Sequence, residues 1–303
     1  MYRKILVPLD GSPVAEQVLP YARSLAQALA LPVELLHAVE PETVAVYSDP
    51  KHGRYVDVVE ADLKQKSLEY LKKLEGSFLK ASKITCSAEI GKPADVIVAR
   101  ATAQPGTLIA MATHGRSGVQ RWLLGSVAEK VLHMTTNHLL LVRATNETKT
   151  DEASLRTVVV PLDGSPLAEK VLPHVYDMAK RMDLEVLLLR AYAIPIMAYS
   201  TEDYYTPNLD ELLGEAKDEA RRYLEQKVAE LKGEGLRRVS SRFLEGESAQ
   251  QIIDFARKTP DNFVAMCTHG RSGIGRLVLG SVTNRVVRHS GDPVLVVRAS
   301  SGA

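Results

Sequence analysis

The segment VPLDGSPVAEQVLP at residues 7–20 returns as VPLDGSPLAEKVLP at residues 160–173, with only two positions changed. Asp10 and Asp163 occupy equal places in the two segments and lie 153 residues apart. Self-similarity at so long a period is typical of a duplicated domain and not of a solenoid of short repeats. The sequence therefore predicts two copies of one domain in tandem.

Two further motifs recur in the same order. THGRSG at residues 113–118 returns at 268–273, and LGSV at 124–127 returns at 279–282. The chain has 303 residues, which suits two domains of about 150 residues each. The polar stretch TNETKTDEAS between the copies has the composition of a linker. We therefore predict a first domain at 1–144, a linker at 145–155 and a second domain at 156–303.

Strand and helix patterns alternate along each copy. In the first copy, residues 5–9 form a short apolar run, as expected of a strand covered on both faces. Ser12 and Pro13 then provide an N-cap and a first helical residue, and an apolar stripe at helical spacing extends to Leu29. Regular alternation of this kind predicts a parallel sheet with helices on both faces, joined by right-handed crossovers.

Composition restricts the function classes. The formal net charge is +1 without a block of like charge, which argues against a nucleic acid or a membrane surface as partner. The chain has two cysteines, too few for a disulfide framework, so we expect a reducing, cytoplasmic compartment. No stretch approaches the roughly 18 apolar residues of a membrane span.

A glycine-rich loop follows the fourth predicted strand of each copy. Its sequence in the first copy is MATHGRSG at 111–118, with Gly125 and Ser126 after six further residues. Glycines allow backbone N–H groups to converge on an anion, and the free amides of a following helix favour phosphate. Ser126 is either an N-cap or a phosphate donor. The alternative to phosphate binding is a tight turn followed by a capped helix.

Asp10 and Asp163 end the first strand of each copy, so both belong to the edge where ligands of parallel sheets bind. One interpretation is a polar contact to a ribose, a phosphate or a metal. The other is an aspartate that begins the turn Asp-Gly-Ser-Pro. The glycine loop lies at the same edge and favours the first interpretation.

Other candidate motifs are weaker. His114 and His269 lack a GxSxG elbow or a suitably placed carboxylate, so we interpret them as loop-positioning residues and assign no catalytic residue. Arg116 and Arg271, taken alone, have the character of solvated surface charges. No Cys/His spacing predicts a metal site. Lys92 does not match a phosphate-binding P-loop lysine.

These motifs resemble the universal stress protein family in its tandem form. The nucleotide motif of that family is Gly, two residues, Gly, nine residues, then Gly followed by Ser or Thr. Nine residues separate Gly115 from Gly125 and Gly270 from Gly280, and a serine follows each time. The first glycine of the motif is replaced by Ala112 in one copy and by Cys267 in the other.

The resemblance covers nearly the whole chain and implies two tandem Rossmann-like domains of the adenine nucleotide alpha hydrolase type. Each would be a five-stranded parallel sheet with helices on both faces, and an adenine nucleotide would lie across the strand ends. Family members pair through their last strands. A tandem chain can form that pairing internally as a pseudo-dimer, and can pair again as a homodimer.

The resemblance also implies the binding residues, position by position. The end of the first strand would contact base and ribose, the residue after His37 would bond adenine through its backbone, and the glycine loop would hold ribose and phosphates. In the first copy these residues are Pro8, Leu9, Asp10, Ala38, Met111, Ala112, Thr113, His114, Gly115, Arg116, Gly118, Gly125, Ser126 and Val127. In the second copy they are Pro161, Leu162, Asp163, Ala191, Met266, Cys267, Thr268, His269, Gly270, Arg271, Gly273, Gly280, Ser281 and Val282.

One replacement distinguishes the second copy. Glu247 and Ser248 stand where the first copy has Lys92 and Pro93. A carboxylate near the phosphates would weaken anion binding, so the sequence predicts that the second site is the weaker one.

The resulting hypothesis is a regulatory stress-response protein that binds ATP or AMP, with Mg²⁺ carried by the nucleotide, and without fast catalysis. Two alternatives stay open at this point. One is a slow ATPase or phosphotransferase, for which Asp10 and Arg116 and their counterparts are the candidate groups. The other is a pseudo-dimeric scaffold with degenerate sites, which the replacements at Ala112, Cys267 and Glu247 would fit.

Overall fold

The strands of both halves form one ten-stranded sheet in the order β3-β2-β1-β4-β5-β10-β9-β6-β7-β8. We describe a computed structural model, in residues 2–48, 55–78, 83–113, 124–144, 153–192, 209–268 and 279–298. The strands of the first half are β1 (Lys4–Leu9), β2 (Val33–Val39), β3 (Ile84–Ile90), β4 (Thr107–Ala112) and β5 (His138–Val142). Those of the second half are β6 (Thr157–Pro161), β7 (Glu185–Tyr192), β8 (Val239–Glu245), β9 (Asn262–Cys267) and β10 (Val294–Val297).

Helices cover both faces of this sheet. In the first half they are α1 (Pro13–Glu16), α2 (Leu19–Leu29), α3 (Pro41–Tyr47), α4 (Val56–Glu75), α5 (Pro93–Thr102) and α6 (Ser126–Met134). In the second half they are α7 (Leu172–Met182), α8 (Leu209–Gly233), α9 (Ser248–Lys258) and α10 (Ser281–His289), with a 3-10 helix at Ala168–Val171. Within the described residues, no helix has the length and apolar character needed to cross a membrane.

The predicted fold class is confirmed. Within each half the strands pair in parallel, with β1 between β2 and β4 and β6 between β7 and β9. The two halves meet through β5 and β10, which pair antiparallel with Leu140 opposite Leu295. The structure thus contains the internal pseudo-dimeric pairing that the family resemblance implies.

The predicted first helix is interrupted. Ser12 caps α1 as expected, because its hydroxyl accepts a hydrogen bond from the backbone N–H of Ala15 at 3.1 Å. However, α1 ends after one turn, and α2 begins at Leu19 with Pro20 in its first turn. Proline has no N–H to continue an existing helix, but it fits a first turn. The apolar stripe still packs inward, since Val18 and Ala22 are fully buried.

The segment after β2 forms a short helix. Residues Pro41–Tyr47 form α3, with a proline in the first turn. One side of α3 packs through Val44 against Val39 and Val59. Pro41 presets the backbone for a helix start, which explains why a proline-containing segment is helical here.

Apolar side chains from both halves form two continuous layers, one on each face of the sheet. On β5 and β10, Leu140 and Leu295 belong to the layer under α2 and α7. Leu139 and Val296 belong to the opposite layer, under α6 and α10. Because the paired strands are buried on both faces, the junction between the halves is part of the hydrophobic core.

A polar cluster of Tyr2, His138 and His174 lies within this junction. The Tyr2 hydroxyl is 3.0 Å from Nδ1 of His138, and the rings of His138 and His174 meet edge to face with centroids 4.4 Å apart. Burial lowers the pKa of His138 from 6.5 to about 4, and the adjacent His174 adds to the shift. The folded protein therefore keeps His138 neutral at physiological pH.

This cluster predicts acid sensitivity. Unfolded His138 takes up a proton near pH 6.5 and folded His138 near pH 4, so its stabilising contribution is present above pH 6.5 and is lost as the pH falls between these values. We expect the loss to reach about 3 kcal/mol, because one pKa unit corresponds to about 1.4 kcal/mol. His138→Gln should flatten this part of the stability–pH curve in urea titrations, and His133→Gln, on the exposed end of α6, is the control. Parallel curves for all three proteins would contradict the assignment.

Candidate functional site

A cavity of about 270 Å³ lies at the carboxyl ends of β6, β7 and β9. The chain crosses from one side of β6 to the other at this point, since β7 and β9 flank it. Open parallel sheets bind ligands at such a change of strand order. Its described lining residues are Pro161, Leu162, Asp163, Ala168, Leu189, Ala191, Ser248, Ile252, Met266, Cys267, Gly280, Ser281, Val282 and Thr283.

Nine of the predicted residues of the second copy line this cavity. They come from four segments that are distant in sequence: 161–163, 191, 266–267 and 280–282. Sequence reasoning missed Ala168, Leu189, Ser248, Ile252 and Thr283. Strand alternation could have suggested Leu189, which shares a face of β7 with Ala191. Helical spacing relates Ser248 to Ile252, but only packing shows that this side of α9 faces the cavity.

The aspartates after β1 and β6 form compact turns. Asp163 accepts a hydrogen bond from the backbone N–H of Ser165 at 2.9 Å, and Asp10 accepts the equivalent bond from Ser12 at 3.0 Å. Gly164, which lies between Asp163 and Ser165, has φ +81°, a backbone conformation that is unfavourable for residues with a side chain. Both aspartates therefore begin a turn, as the second interpretation predicts. Asp163 also lines the cavity.

Beneath the second turn lies a buried arginine. The guanidinium of Arg190 stands 5.1 Å from the ring centre of Tyr223 and 3.3 Å from Glu219. A Cβ added to Gly164 would be 3.4 Å from this guanidinium, so the turn rests directly on it. The first copy has His37 at this place, edge to face with Tyr70 at 6.0 Å.

The starts of α10 and α6 are tied to the preceding strands. The N–H of Gly280 donates to the carbonyl of Thr268 at 2.5 Å, and Gly125 donates to Thr113 at 2.7 Å. Each glycine occupies the N-cap position, where it offers no side chain to the first helical amides. In the second copy the Thr283 hydroxyl also donates to the carbonyl of Cys267 at 2.8 Å. The first residues of α10, Ser281 and Val282, are thus held at the cavity wall.

Thr268 does not line the cavity but follows β9 and accepts the hydrogen bond from Gly280. The remaining predicted residues divide into two groups. In the first copy the structure places the following residues at the strand ends β1, β2 and β4 and at the start of α6: Pro8, Leu9, Asp10, Ala38, Met111, Ala112, Thr113, Gly125, Ser126 and Val127. Outside the described residues lie His114, Gly115, Arg116, Gly118, His269, Gly270, Arg271 and Gly273. In the part of the chain that the structure describes, no three His, Cys, Asp or Glu residues are arranged to hold a metal.

Cys267 replaces a motif glycine and lines the cavity. Burial raises the pKa of its thiol to about 12. A thiol with so high a pKa is protonated at neutral pH and is a poor nucleophile. Its side chain is buried and packs in the hydrophobic core.

Glu247 does not project its carboxylate freely toward the cavity. Its side chain accepts hydrogen bonds from the N–H groups of Ala249 and Gln250 at the start of α9. The same carboxylate lies 3.0 Å from Arg285 on α10. An N-cap with a neighbouring cation has its charge compensated, so the expected penalty for an anion at this site is smaller than the sequence alone suggests.

The fold and the cavity define a tandem α/β protein in which each half is a doubly wound parallel sheet. The family model for the "Universal stress protein family" matches residues 1–143 and 154–298. The chain belongs to the universal stress protein family.

Individual relatives match either the whole chain or one of its halves. A universal stress protein of Mycolicibacterium smegmatis is 24% identical over 299 residues, which cover 97% of this chain and 96% of that protein. One from Methanocaldococcus jannaschii is 32% identical over 144 residues, 47% of this chain and 82% of that protein. The crystal structure of a universal stress protein from Archaeoglobus fulgidus shares the fold across 98% of both chains, with a TM-score of 0.71 and 21% identity.

Glu247 and Lys92 occupy equivalent N-cap positions, but truncating them should have different effects on stability. Glu247→Ala removes the hydrogen bonds to two helix amides and the contact with Arg285, so we expect a loss of about 1 kcal/mol of unfolding free energy. Lys92→Ala, at the equivalent position before α5, removes no side-chain cap and should change stability little. Thermal or urea unfolding of both variants measures the difference, and equal losses would refute the capping role of Glu247.

Proposed function

We propose that each half of this chain binds an adenine nucleotide, ATP or AMP, and that binding serves a regulatory role in a stress response. The observation that carries the proposal is the cavity at the carboxyl ends of β6, β7 and β9, whose walls include nine residues predicted from the family motif. Cavities at this point of a doubly wound sheet are the usual sites of nucleotides.

The proposed contacts follow from the chemistry of the wall. Asp163 would accept a hydrogen bond from a ribose hydroxyl, and the backbone of Ala191 would bond the adenine edge. The amides of Ser281 and Val282, at the positive end of α10, would face the phosphates. Leu189, Ile252 and Met266 supply the apolar surface against which a base can stack.

The nucleotide would be bound without rapid hydrolysis or phosphoryl transfer. Phosphoryl transfer depends on a positioned base, metal ligands and a cation at the transferred group. Among the fourteen described residues around the cavity, Asp163 is the only Asp, Glu, Lys or Arg, and it is already bonded to the turn. Mg²⁺ would then arrive with the nucleotide, held mainly by its phosphates.

Nucleotide that co-purifies with the chain tests the proposal. We expect acid-denatured protein to release adenine nucleotide, up to two equivalents per chain, identified by chromatography and mass spectrometry. One equivalent would indicate that a single half binds. No nucleotide, even after incubation with millimolar ATP, would favour the pseudo-dimeric scaffold. ADP that accumulates with time from added ATP would favour the slow ATPase.

Filling the cavity wall should block binding. Gly280 lines the cavity, so in Gly280→Val an isopropyl group would stand where the phosphates are proposed to lie. We expect at least a tenfold loss of affinity at the second site, because one excluded hydrogen-bonded contact is worth 1.4 kcal/mol or more. Gly291→Val is the matched control, since no atom lies within 4 Å of the added Cβ. Equal affinity in both variants, by calorimetry, would refute the site.

A further inference from the structure

The turn after β6 rests on the side chain of Arg190, a residue of β7. A Cβ added to Gly164 would lie 3.4 Å from Cζ and from both terminal nitrogens of this guanidinium. The side chain of Arg190 is only 10% exposed, so the guanidinium is enclosed beneath the turn. It therefore limits how far the turn can move toward β7.

The guanidinium is itself held by α8. It stands 5.1 Å from the ring centre of Tyr223, and Nη2 donates to a carboxylate oxygen of Glu219 at 3.3 Å. A buried cation is tolerated where an opposite charge or the face of an aromatic ring compensates it. The planar guanidinium of arginine can meet both partners at once. Thus α8 fixes Arg190, and Arg190 supports the turn.

Asp163 belongs to the same group of interacting side chains. Burial and a hydrogen bond to Glu169 raise the pKa of the Tyr223 hydroxyl. The charge of Asp163 raises this pKa further, whereas the charge of Arg190 lowers it. Both charges act on one hydroxyl group, so the carboxylate and the guanidinium lie in the same neighbourhood. Asp163 also lines the cavity, and a carboxylate can accept more hydrogen bonds than the one from Ser165.

The first half supports the equivalent turn with a different side chain. There the Tyr70 hydroxyl forms a hydrogen bond with the backbone of Gly11, and His37 occupies the place of Arg190. Gly11 and Gly164 nevertheless have the same φ of 81°. Each turn therefore has a supporting side chain of its own, and in the second half this is an arginine.

We infer that Arg190 is a positioning residue of the second site: by fixing the turn, it directs the Asp163 carboxylate toward the ribose hydroxyls of the nucleotide. The inference rests on the proposed function, since it names the residue on which one contact of that same site depends. A carboxylate that is fixed before the ligand arrives needs no ordering on binding, so its hydrogen bond contributes more to affinity. Arg190 thus sets the preference of this site for a nucleotide with ribose hydroxyls.

The test compares an adenine nucleotide, AMP or ATP, whichever binds more tightly, with its analogue that lacks both ribose hydroxyls. Affinities are measured by calorimetry on the full chain carrying Gly125→Val, which blocks the first site as Gly280→Val is expected to block the second. We expect the natural nucleotide to bind about tenfold more tightly than the analogue, as a hydrogen bond to a charged acceptor predicts. Arg190→Met should reduce this preference to about twofold, because the carboxylate must then be ordered on binding. A general loss of packing would weaken both ligands equally and leave their ratio unchanged.

Three further variants make the test specific. Arg222→Met is the matched control, since Arg222 is exposed on α8 and should leave the preference intact. Glu219→Ala removes a partner whose side chain is 68% exposed, so it should lower the preference in part without disturbing the core. In an Asp163→Ala background, Arg190→Met should cause no further change in the preference, because Arg190 acts through this carboxylate. Thermal unfolding checks each variant, and Glu219→Ala decides the test if Arg190→Met does not fold.

The outcomes separate the inference from the proposed function. If the second site binds nucleotide and Arg190→Met keeps the preference for ribose hydroxyls, the inference is overturned and the proposed function stands. The same holds if the unsubstituted site shows no such preference. If the unsubstituted chain binds neither AMP nor ATP, the proposed function fails and the inference fails with it. A preference that falls in Arg190→Met and persists in Arg222→Met supports the inference.

Discussion

The antiparallel pairing of β5 with β10 is the constraint on which the arrangement of the two halves depends. Both strands present apolar side chains on both faces, so either one left as a free edge would expose a flat hydrophobic ladder to solvent. Covalent linkage keeps the two edges at high effective concentration, which favours pairing within the chain. The result is one sheet with two points of strand-order reversal, placed on either side of the junction by pseudo-twofold symmetry.

Much of the sheet could be predicted from the sequence because its strands are buried on both faces. Such strands read as short apolar runs, and the run at 5–9 agrees with β1 to within one residue. The break between α1 and α2 was not predicted, since an apolar stripe continues through it and only the backbone shows that Pro20 starts a new helix. The apolar stripe determines which side chains are buried, whereas Pro20 determines where a new series of helical hydrogen bonds begins.

The residues of the candidate site could likewise be predicted only in part. Residues whose role is set by local backbone, such as Asp163 before the Gly164 turn, were identified from a few neighbouring letters. Ser248 and Ile252 were not, because their place on the cavity wall depends on how α9 packs against the sheet. The compensation of the Glu247 charge was not predicted for a related reason. Its partner Arg285 is 38 residues further along the chain, and sequence spacing does not show that α9 and α10 bring the two together.

The two copies differ least where the backbone is constrained and most where charges face solvent. Gly11 and Gly164 have the same positive φ of 81°, and the tyrosine–glutamate hydrogen bonds Tyr70–Glu16 and Tyr223–Glu169 repeat within 0.1 Å. Such features are coupled to the fold, so replacing one of them strains the turn or the core. An exposed charge can be exchanged at little cost in stability, because an exposed ion pair contributes at most about 1 kcal/mol. The turns after β1 and β6 therefore keep the same geometry in both halves, whereas the exposed N-cap positions before α5 and α9 hold side chains of opposite charge, Lys92 and Glu247.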